Sequence, residues 1–155
     1  MSNEIDAMRV WFRLIRLHTR SRVAIANRLR AFDLSVPQCD VLTTLTEKEG
    51  LSQQELAARL YVTKGNISGL VDRLVANGLV ERRSFAGDRR SHAIHLTPAG
   101  RDLAQRAIEA QRKFVAETFG QLPPQRLAEF EQLLVEARDL VRARGGAASP
   151  EGVEA

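Results

Sequence analysis

A chain of 155 residues has room for one compact domain, or for one small domain with a helical extension, and this length excludes two full domains. Its residues are 44% hydrophobic but only 5% aromatic, so the core must consist largely of Leu, Val, Ile and Ala, which favours an α-rich fold. The formal net charge is +4, and the positive charge is concentrated in residues 4–32 and 59–106, each with a net charge of +5, which favours an anionic partner such as nucleic acid.

The first predicted helix covers residues 4–32, a segment without Pro or Gly. Apolar residues fall on two stripes of this helix, which therefore needs to be buried on two sides. The stripes are Ile5, Met8, Phe12 and Ile15, and Val10, Leu14 and Leu17. One side can cover its own subunit while the other needs a further partner, so the pattern predicts a homodimer.

A helix-turn-helix is predicted after a second helix that begins near Pro37 and ends at Gly50. Ser52 and Glu55 stand three residues apart as a capping box and start a short helix over residues 52–60. Thr63 caps the next helix, and Asn77-Gly78 ends it. Its apolar face consists of Ile67, Leu70, Val71, Leu74 and Val75. Two short helices joined by "YVT" are typical of this motif.

The periodicity then changes to that of strands. Residues 79–83 and 91–96 are predicted to form a β-hairpin with a polar loop, which after a helix-turn-helix is a wing. Thr97 caps a long helix with Pro98 at its first position, "GQLPPQ" interrupts the helical pattern, and a last helix covers residues 124–144.

These elements predict a mainly α fold with a small β-hairpin wing, in the α+β class. We expect residues 36–97 to form a winged helix-turn-helix domain that binds DNA. Residues 1–35 and 98–145 are expected to form a helical dimerisation region, and residues 146–155, which lack an apolar pattern, a disordered tail.

A helix in the major groove reads bases with its early exposed residues, while its apolar face stays on the protein. Asn66 is suited to adenine, Lys64 and Arg73 to guanine or phosphate, and hydroxyl groups to phosphate. The predicted contacts are Thr63, Lys64, Gly65, Asn66, Ser68, Gly69 and Arg73. The glycines cost about 1 kcal/mol each in helix propensity, which a close approach of the helix backbone to DNA would explain.

The segment that contains the predicted hairpin is also rich in basic residues. Residues 59–106 hold nine Lys or Arg against four Asp or Glu. A guanidinium at the hairpin tip suits the narrow minor groove, and Asp88 would orient one of the arginines. The predicted contacts in the wing are Arg82, Arg83, Asp88, Arg89 and Arg90. The alternative for these residues is a solvated, charged surface hairpin.

The sequence resembles the MarR family of bacterial transcription regulators over roughly residues 8–142. The most specific match is "LVERRSFAGDRRSHAIHLTPAG", which follows the family's wing pattern of Asp-x-Arg, a strand and Leu-Thr-x-x-Gly, and "LSQQELAARLYVTKGNISGLVDRLVANGLV" resembles its helix-turn-helix. The resemblance implies that Asp88 and Arg90 are the wing pair, with the Arg in the minor groove, and that residues 63–73 are the recognition helix.

The resemblance also implies a homodimer whose first and last two helices intertwine, and an operator of two half-sites about 10 base pairs apart. Family members commonly repress neighbouring genes and release DNA when a small, often aromatic or acidic, ligand binds between the dimer helices and the winged module. Other members respond to cysteine oxidation.

The first helix carries a stripe of arginines, formed by Arg9, Arg13, Arg16 and Arg20. We expect part of this stripe to attract an anionic effector such as an aromatic acid or an acyl-CoA thioester. The candidate effector residues are Trp11, Arg16, His18, Arg22 and Cys39. Pairing with acidic residues of the last helices, or plain solvation, is an equal alternative.

Cys39 is interpreted as a small core residue, with a redox-responsive regulator acting through Cys39 as the alternative. Peroxide-sensing members of the family carry their cysteine in the first helix, where this chain has none. Asp40 matches an acidic position of urate-responsive members, but Leu70 stands where those carry Arg, so urate is disfavoured.

No enzyme, cofactor or metal site is expected. His92 and His95 lie three apart in a predicted strand and so point to opposite faces, which prevents them from sharing a metal. With a single cysteine and no long apolar run or signal-peptide pattern, we expect a cytoplasmic protein without a membrane partner. A non-DNA-binding helical interaction protein is the remaining alternative.

Overall fold

The computed structural model describes residues 2–85 and 88–145, and the side chains of residues 6–85 and 92–145. Within these residues the chain is mostly helical with a three-stranded antiparallel sheet, which confirms the predicted fold class. The helices are α1 (Ser2–Leu29), α2 (Val36–Glu47), α3 (Gln53–Leu60), α4 (Lys64–Ala76), α5 (Pro98–Glu117) and α6 (Pro124–Arg144), and the strands are β1 (Leu51–Ser52), β2 (Val80–Phe85) and β3 (Asp88–Leu96). The tail predicted to be disordered, 146–155, lies outside the described residues.

Local capping signals fix the starts of the short helices. Ser35 and Gln38 form a capping box at α2, and Ser52 and Glu55 form the predicted one at α3. The Thr63 hydroxyl accepts the backbone N–H of Asn66 at 3.2 Å and caps α4. Each cap satisfies a backbone donor that the first helical turn leaves without a partner, so α3 and α4 begin where the sequence predicts.

The core lies in the first of two units into which the chain divides, Met1–Ala110 and Gln111–Ala155. Its fully buried large side chains come from α2, α3, α4 and the sheet, together with the last residue of α1. They are Leu29, Val41, Leu42, Leu45, Leu56, Ile67, Val71, Leu74, Val80 and Ile94. This aliphatic core holds the helix-turn-helix and the base of the hairpin together.

The sheet has the strand order β1-β3-β2. Its first strand was not predicted: Leu51 pairs with Ile94, and Ser52 with Ala93. The hairpin strands are longer than expected, since β3 begins at Asp88. The backbone of Asp88, Arg89 and Arg90 therefore belongs to a strand, which corrects the prediction of a loop at these positions.

A close backbone contact anchors the start of α5. The Thr97 hydroxyl accepts the N–H of Gly100 at 3.0 Å and donates to the Gly78 carbonyl at 2.6 Å. A Cβ at Gly100 would lie 1.8 Å from the carbonyl oxygen of Leu79. Only glycine fits there, which gives a physical reason for the Leu-Thr-x-x-Gly pattern.

The side chains of α1 from residue 6 to residue 20 are all exposed in the single chain. They include large apolar groups at Met8, Val10, Trp11, Phe12 and Ile15. In the second unit α6 has no buried residue, although the rings of Phe119 and Phe130 stack with centroids 6.1 Å apart. Both helices thus carry apolar surface that the single chain leaves in contact with water.

Candidate nucleic-acid interface

The predicted recognition helix, α4, presents its polar side outward. Its apolar face is fully or almost fully buried at Ile67, Leu70, Val71 and Leu74. Of the predicted contacts, five are exposed and two half-buried; the exposed ones are Thr63, Lys64, Gly65, Asn66 and Arg73, and the half-buried ones are Ser68 and Gly69. The structure therefore brings these residues together on the side of α4 away from the core.

Nothing among the described residues requires glycine at the two glycine positions of α4. A Cβ added at Gly65 or at Gly69 would meet no atom within 4 Å, and neither residue has a positive φ. Glycine nevertheless costs up to about 1 kcal/mol relative to alanine inside a helix. Within the described part of the chain, no contact compensates for this cost.

Tyr61 is exposed and lies two residues before Thr63, but it was not among the predicted contacts. It occupies the turn before Thr63, is 72% exposed, and has φ of 54° in the left-handed region. Most residues with a side chain avoid this region, at a cost of about 1 kcal/mol or more. A tyrosine at the C-cap of α3, where glycine is the usual residue, is the sequence signal that marks this position.

In the wing, Arg83 is exposed and its guanidinium pairs with Glu81 two residues earlier on the same strand face. The side chains of Asp88, Arg89 and Arg90 lie outside the described ones, so the predicted minor-groove pair stays a prediction. The backbone places Asp88 and Arg90 within the first three residues of β3, where Asp88 pairs with Phe85 of β2.

Arg82 is not oriented like its neighbour. Its Nε and Nη2 donate to Gln53 Oε1 at 3.0 and 2.9 Å, and Nη2 also donates to Asp72 Oδ1. The side chain is 27% exposed. The Nε and Nη2 donors of Arg82 are thus turned toward α3 and α4, and direct contact of Arg82 with DNA stays a prediction.

The candidate effector residues do not form one surface. Trp11, His18 and Arg22 recur at a spacing that puts them on one face of α1, whereas Arg16 lies about 140° around the helix from Trp11. All four are exposed. Cys39 is fully buried and has no surface to offer a ligand in this chain, which goes against its inclusion in the set.

Burial also decides the chemistry of Cys39. Burial, and secondarily the nearby Asp40 carboxylate, raise the pKa of the Cys39 thiol to about 11. The pKa of Asp40 is itself raised by burial, an effect that the charge of Arg22 partly opposes. A buried thiol that stays protonated near neutral pH is a poor redox sensor, which supports its interpretation as a core residue.

A cavity of about 520 Å³ opens beside the wing and the start of α5. It is lined by Arg83, Leu96, Pro98, Arg101, Asp102 and Gln105. Arg101 pairs there with Glu49 at 2.9 Å, and Glu49 also accepts the backbone N–H of Leu96 at 3.0 Å. None of the candidate effector residues lines this cavity.

Within the described residues, no helix is long and apolar enough to cross a membrane. The same residues contain no group of three or more His, Cys, Asp or Glu side chains placed to hold a metal ion.

Residues 32–91 match the sequence model of the MarR family. An uncharacterized HTH-type transcriptional regulator of Bacillus cereus is 34% identical over 110 residues, which cover 71% of this chain and 73% of that protein. The transcriptional regulator BldR from Sulfolobus solfataricus is similar in structure, with 27% identity, a TM-score of 0.75, and coverage of 92% of this chain and 99% of its own.

A second solved structure is that of the MarR family protein RV2887 of Mycobacterium tuberculosis in complex with salicylic acid. It is 29% identical to this chain with a TM-score of 0.65, and the match covers 80% of this chain and 92% of the other.

Proposed function

Because this chain belongs to the MarR family of helix-turn-helix transcriptional regulators, we propose that it is a repressor that binds a pseudo-palindromic operator as a homodimer and is released by a small anionic or aromatic ligand. The observation that carries the DNA-binding part is the exposed side of α4, where Gly65 and Gly69 face open space between polar and cationic side chains. Bare helix backbone next to Lys64 and Arg73 suits an anionic surface that must come close.

The proposed contacts divide into two kinds. Asn66 and Arg73, both exposed, are proposed to contact base edges in the major groove, where an amide suits adenine and a guanidinium suits guanine. Lys64 and Thr63, at the amino end of α4, suit phosphate, since the unpaired N–H groups and the helix dipole favour an anion there. Arg89 and Arg90 of the wing complete the proposed surface.

The first experiment measures binding to the DNA upstream of the gene that encodes this chain, by gel shift and fluorescence anisotropy at several salt concentrations. We expect sequence-selective binding that weakens as salt rises, because cations on α4 and the wing displace counterions from phosphate. Asn66→Ala should reduce selectivity, and Lys64→Ala should weaken binding to all sequences and lower the salt slope by about one. Equal binding to scrambled DNA would contradict the proposal and favour a helical interaction protein.

The homodimer is supported by the apolar surface of α1. Met8, Trp11 and Phe12 are each about half exposed, and a soluble chain rarely leaves so many large apolar groups of one helix in water. We propose that a second copy covers this surface. Sedimentation should therefore give twice the mass of one chain, and Phe12→Glu should shift it toward the monomer, with Arg20→Glu on another face of α1 as the matched control. A monomeric wild type would refute this part.

The ligand is supported by the cations of α1. Arg9 pairs with Asp6, whereas Arg16 has no carboxylate partner among the described residues. The charge of Arg22 acts to lower the pKa of the half-buried Asp40. An anionic ligand would gain a charge-assisted hydrogen bond from such a guanidinium. The salicylic acid in the structure of the Mycobacterium relative suggests an aromatic acid as the first compound to test.

The test titrates salicylate, other aromatic acids and acyl-CoA thioesters against the protein–DNA complex. We expect an aromatic acid to dissociate the complex. Since Arg16 and Arg22 lie on different faces of α1, we expect one of the two variants, Arg16→Ala or Arg22→Ala, to bind DNA normally but to need more ligand for release. Arg142→Ala, in the last turn of α6, is the matched control. Release that is unaffected by either variant would move the site elsewhere, and the cavity beside Arg101 would be the next to test.

A further inference from the structure

One arginine joins the first wing strand to both helices of the helix-turn-helix. Arg82 in β2 binds Gln53, the first residue of α3, and Asp72, which lies in the middle of α4. The three residues are 10 and 29 positions apart along the chain. Three elements that would present a single DNA-binding surface are therefore connected through one guanidinium.

The two arginines of β2 have different neighbours because the strand is pleated. Successive side chains of a strand point to opposite faces, so Arg82 turns toward the helices while Arg83 turns to the other face beside Glu81. A planar guanidinium holds its donors in a fixed fork, which lets Arg82 bind two partners in one defined orientation. Lysine carries the same charge but lacks this fork.

Asp72 is otherwise difficult to explain on this side of α4. It is exposed, lies among Gly65, Gly69 and Arg73 on the polar side of the helix, and brings a negative charge toward any bound phosphate. An unpaired carboxylate there would repel DNA. In the structure Arg82 balances this charge, so the carboxylate gives the arginine an attachment point on α4.

We infer that Arg82 and Asp72 form a positioning pair that sets the orientation of the wing relative to α4, so that both contact the same DNA duplex. Neither residue needs to touch DNA for this role. The inference rests on the proposed DNA binding and adds to it how the two contact elements are held in register.

The two explanations of Asp72, positioning and simple electrostatics, predict opposite changes in DNA affinity when Asp72 is substituted. Asp72→Ala removes a negative charge near the DNA, and electrostatics alone would tighten binding. The positioning role predicts weaker binding instead, by about tenfold, and the same for Arg82→Ala. The double variant should bind no more weakly than Arg82→Ala alone, because each single change already breaks the pair.

The salt slope separates positioning from phosphate contact. Loss of a phosphate contact lowers the slope by about one, whereas loss of a positioning residue leaves it unchanged. Arg82→Lys should bind as weakly as Arg82→Ala if the fork is needed, and nearly as well as wild type if only the charge matters. Arg126→Ala, which breaks an exposed arginine–carboxylate pair with Glu129 on α6 and lies outside the proposed DNA contacts, is the matched control.

All affinities are measured where circular dichroism shows each variant to be folded, and Asp72→Asn replaces Asp72→Ala if the latter does not fold. Tighter or unchanged binding of the Asp72 variant, additive losses in the double variant, or a lower salt slope for Arg82→Ala would overturn the inference. These outcomes differ from failure of the proposed function, in which wild type and Arg126→Ala would both fail to bind DNA selectively.

Discussion

Replacing Gly69 by alanine, and separately Gly65, is expected to stabilise the folded chain while weakening its binding to DNA. The added methyl group meets no atom within 4 Å at either position. Neither residue has a positive φ, so alanine fits the backbone without strain. The gain from helix propensity is about 1 kcal/mol at Gly69 in the helix interior, and smaller at Gly65 in the first turn.

DNA binding should change in the opposite direction. If this side of α4 contacts the duplex as proposed, an added methyl group keeps the helix backbone from its closest position, and several neighbouring contacts weaken together. We expect a loss of at least about tenfold in affinity, or roughly 1.4 kcal/mol, for Gly69→Ala. The free energy of unfolding is measured by urea denaturation followed by circular dichroism, and the DNA affinity by anisotropy at one fixed salt concentration.

The two measurements test two different statements. Lower stability of the alanine variants would refute the conclusion that the space around these glycines is open. Unchanged DNA affinity would refute the conclusion that the glycines admit the DNA backbone. Gln105→Ala, an exposed change on α5, is the control and should leave both quantities nearly unchanged.

Contacts inside the first unit lead to three further predictions. Gly100→Ala should lower the free energy of unfolding by about 3 kcal/mol in the same urea assay, because its Cβ would overlap the Leu79 carbonyl and α5 would have to shift; an unchanged midpoint would contradict this. Cys39 should react with a thiol reagent only when the chain unfolds, since burial raises its pKa to about 11 and removes access; labelling of the native protein at the rate of a free thiol would contradict it. The hydrogen bond from Arg101 lowers the pKa of Glu49, so Glu49→Gln should destabilise the protein above the ordinary pKa of the carboxyl group, and the difference from wild type should vanish as the pH falls through the lowered value. Thermal melts from about pH 7 to about pH 3 measure this difference, and one that persists at the acidic end would show that the charge of Glu49 is not its cause.

The amino-acid sequence alone determined the features that depend on neighbours a few residues apart. The Ser52 capping box, the Thr63 cap and the apolar period of α4 act within one or two helical turns, and each appears where it was predicted. Because the same pattern decides which side of α4 is buried, the polar residues of its outer side were also predictable. The family resemblance rests on these local signals.

Only the tertiary structure decided features whose partners are distant in the chain. Strand β1 has just two residues and forms because Leu51 meets Ile94, a pairing across 43 positions that no local pattern announces. The direction of Arg82 is set by Gln53 and Asp72, and the raised pKa of Cys39 by its burial in the assembled core. In each case the energy of the contact depends on elements that come together only when the chain folds. For this reason the sequence predicted Arg82 as a DNA contact but could not predict its bonds to α3 and α4.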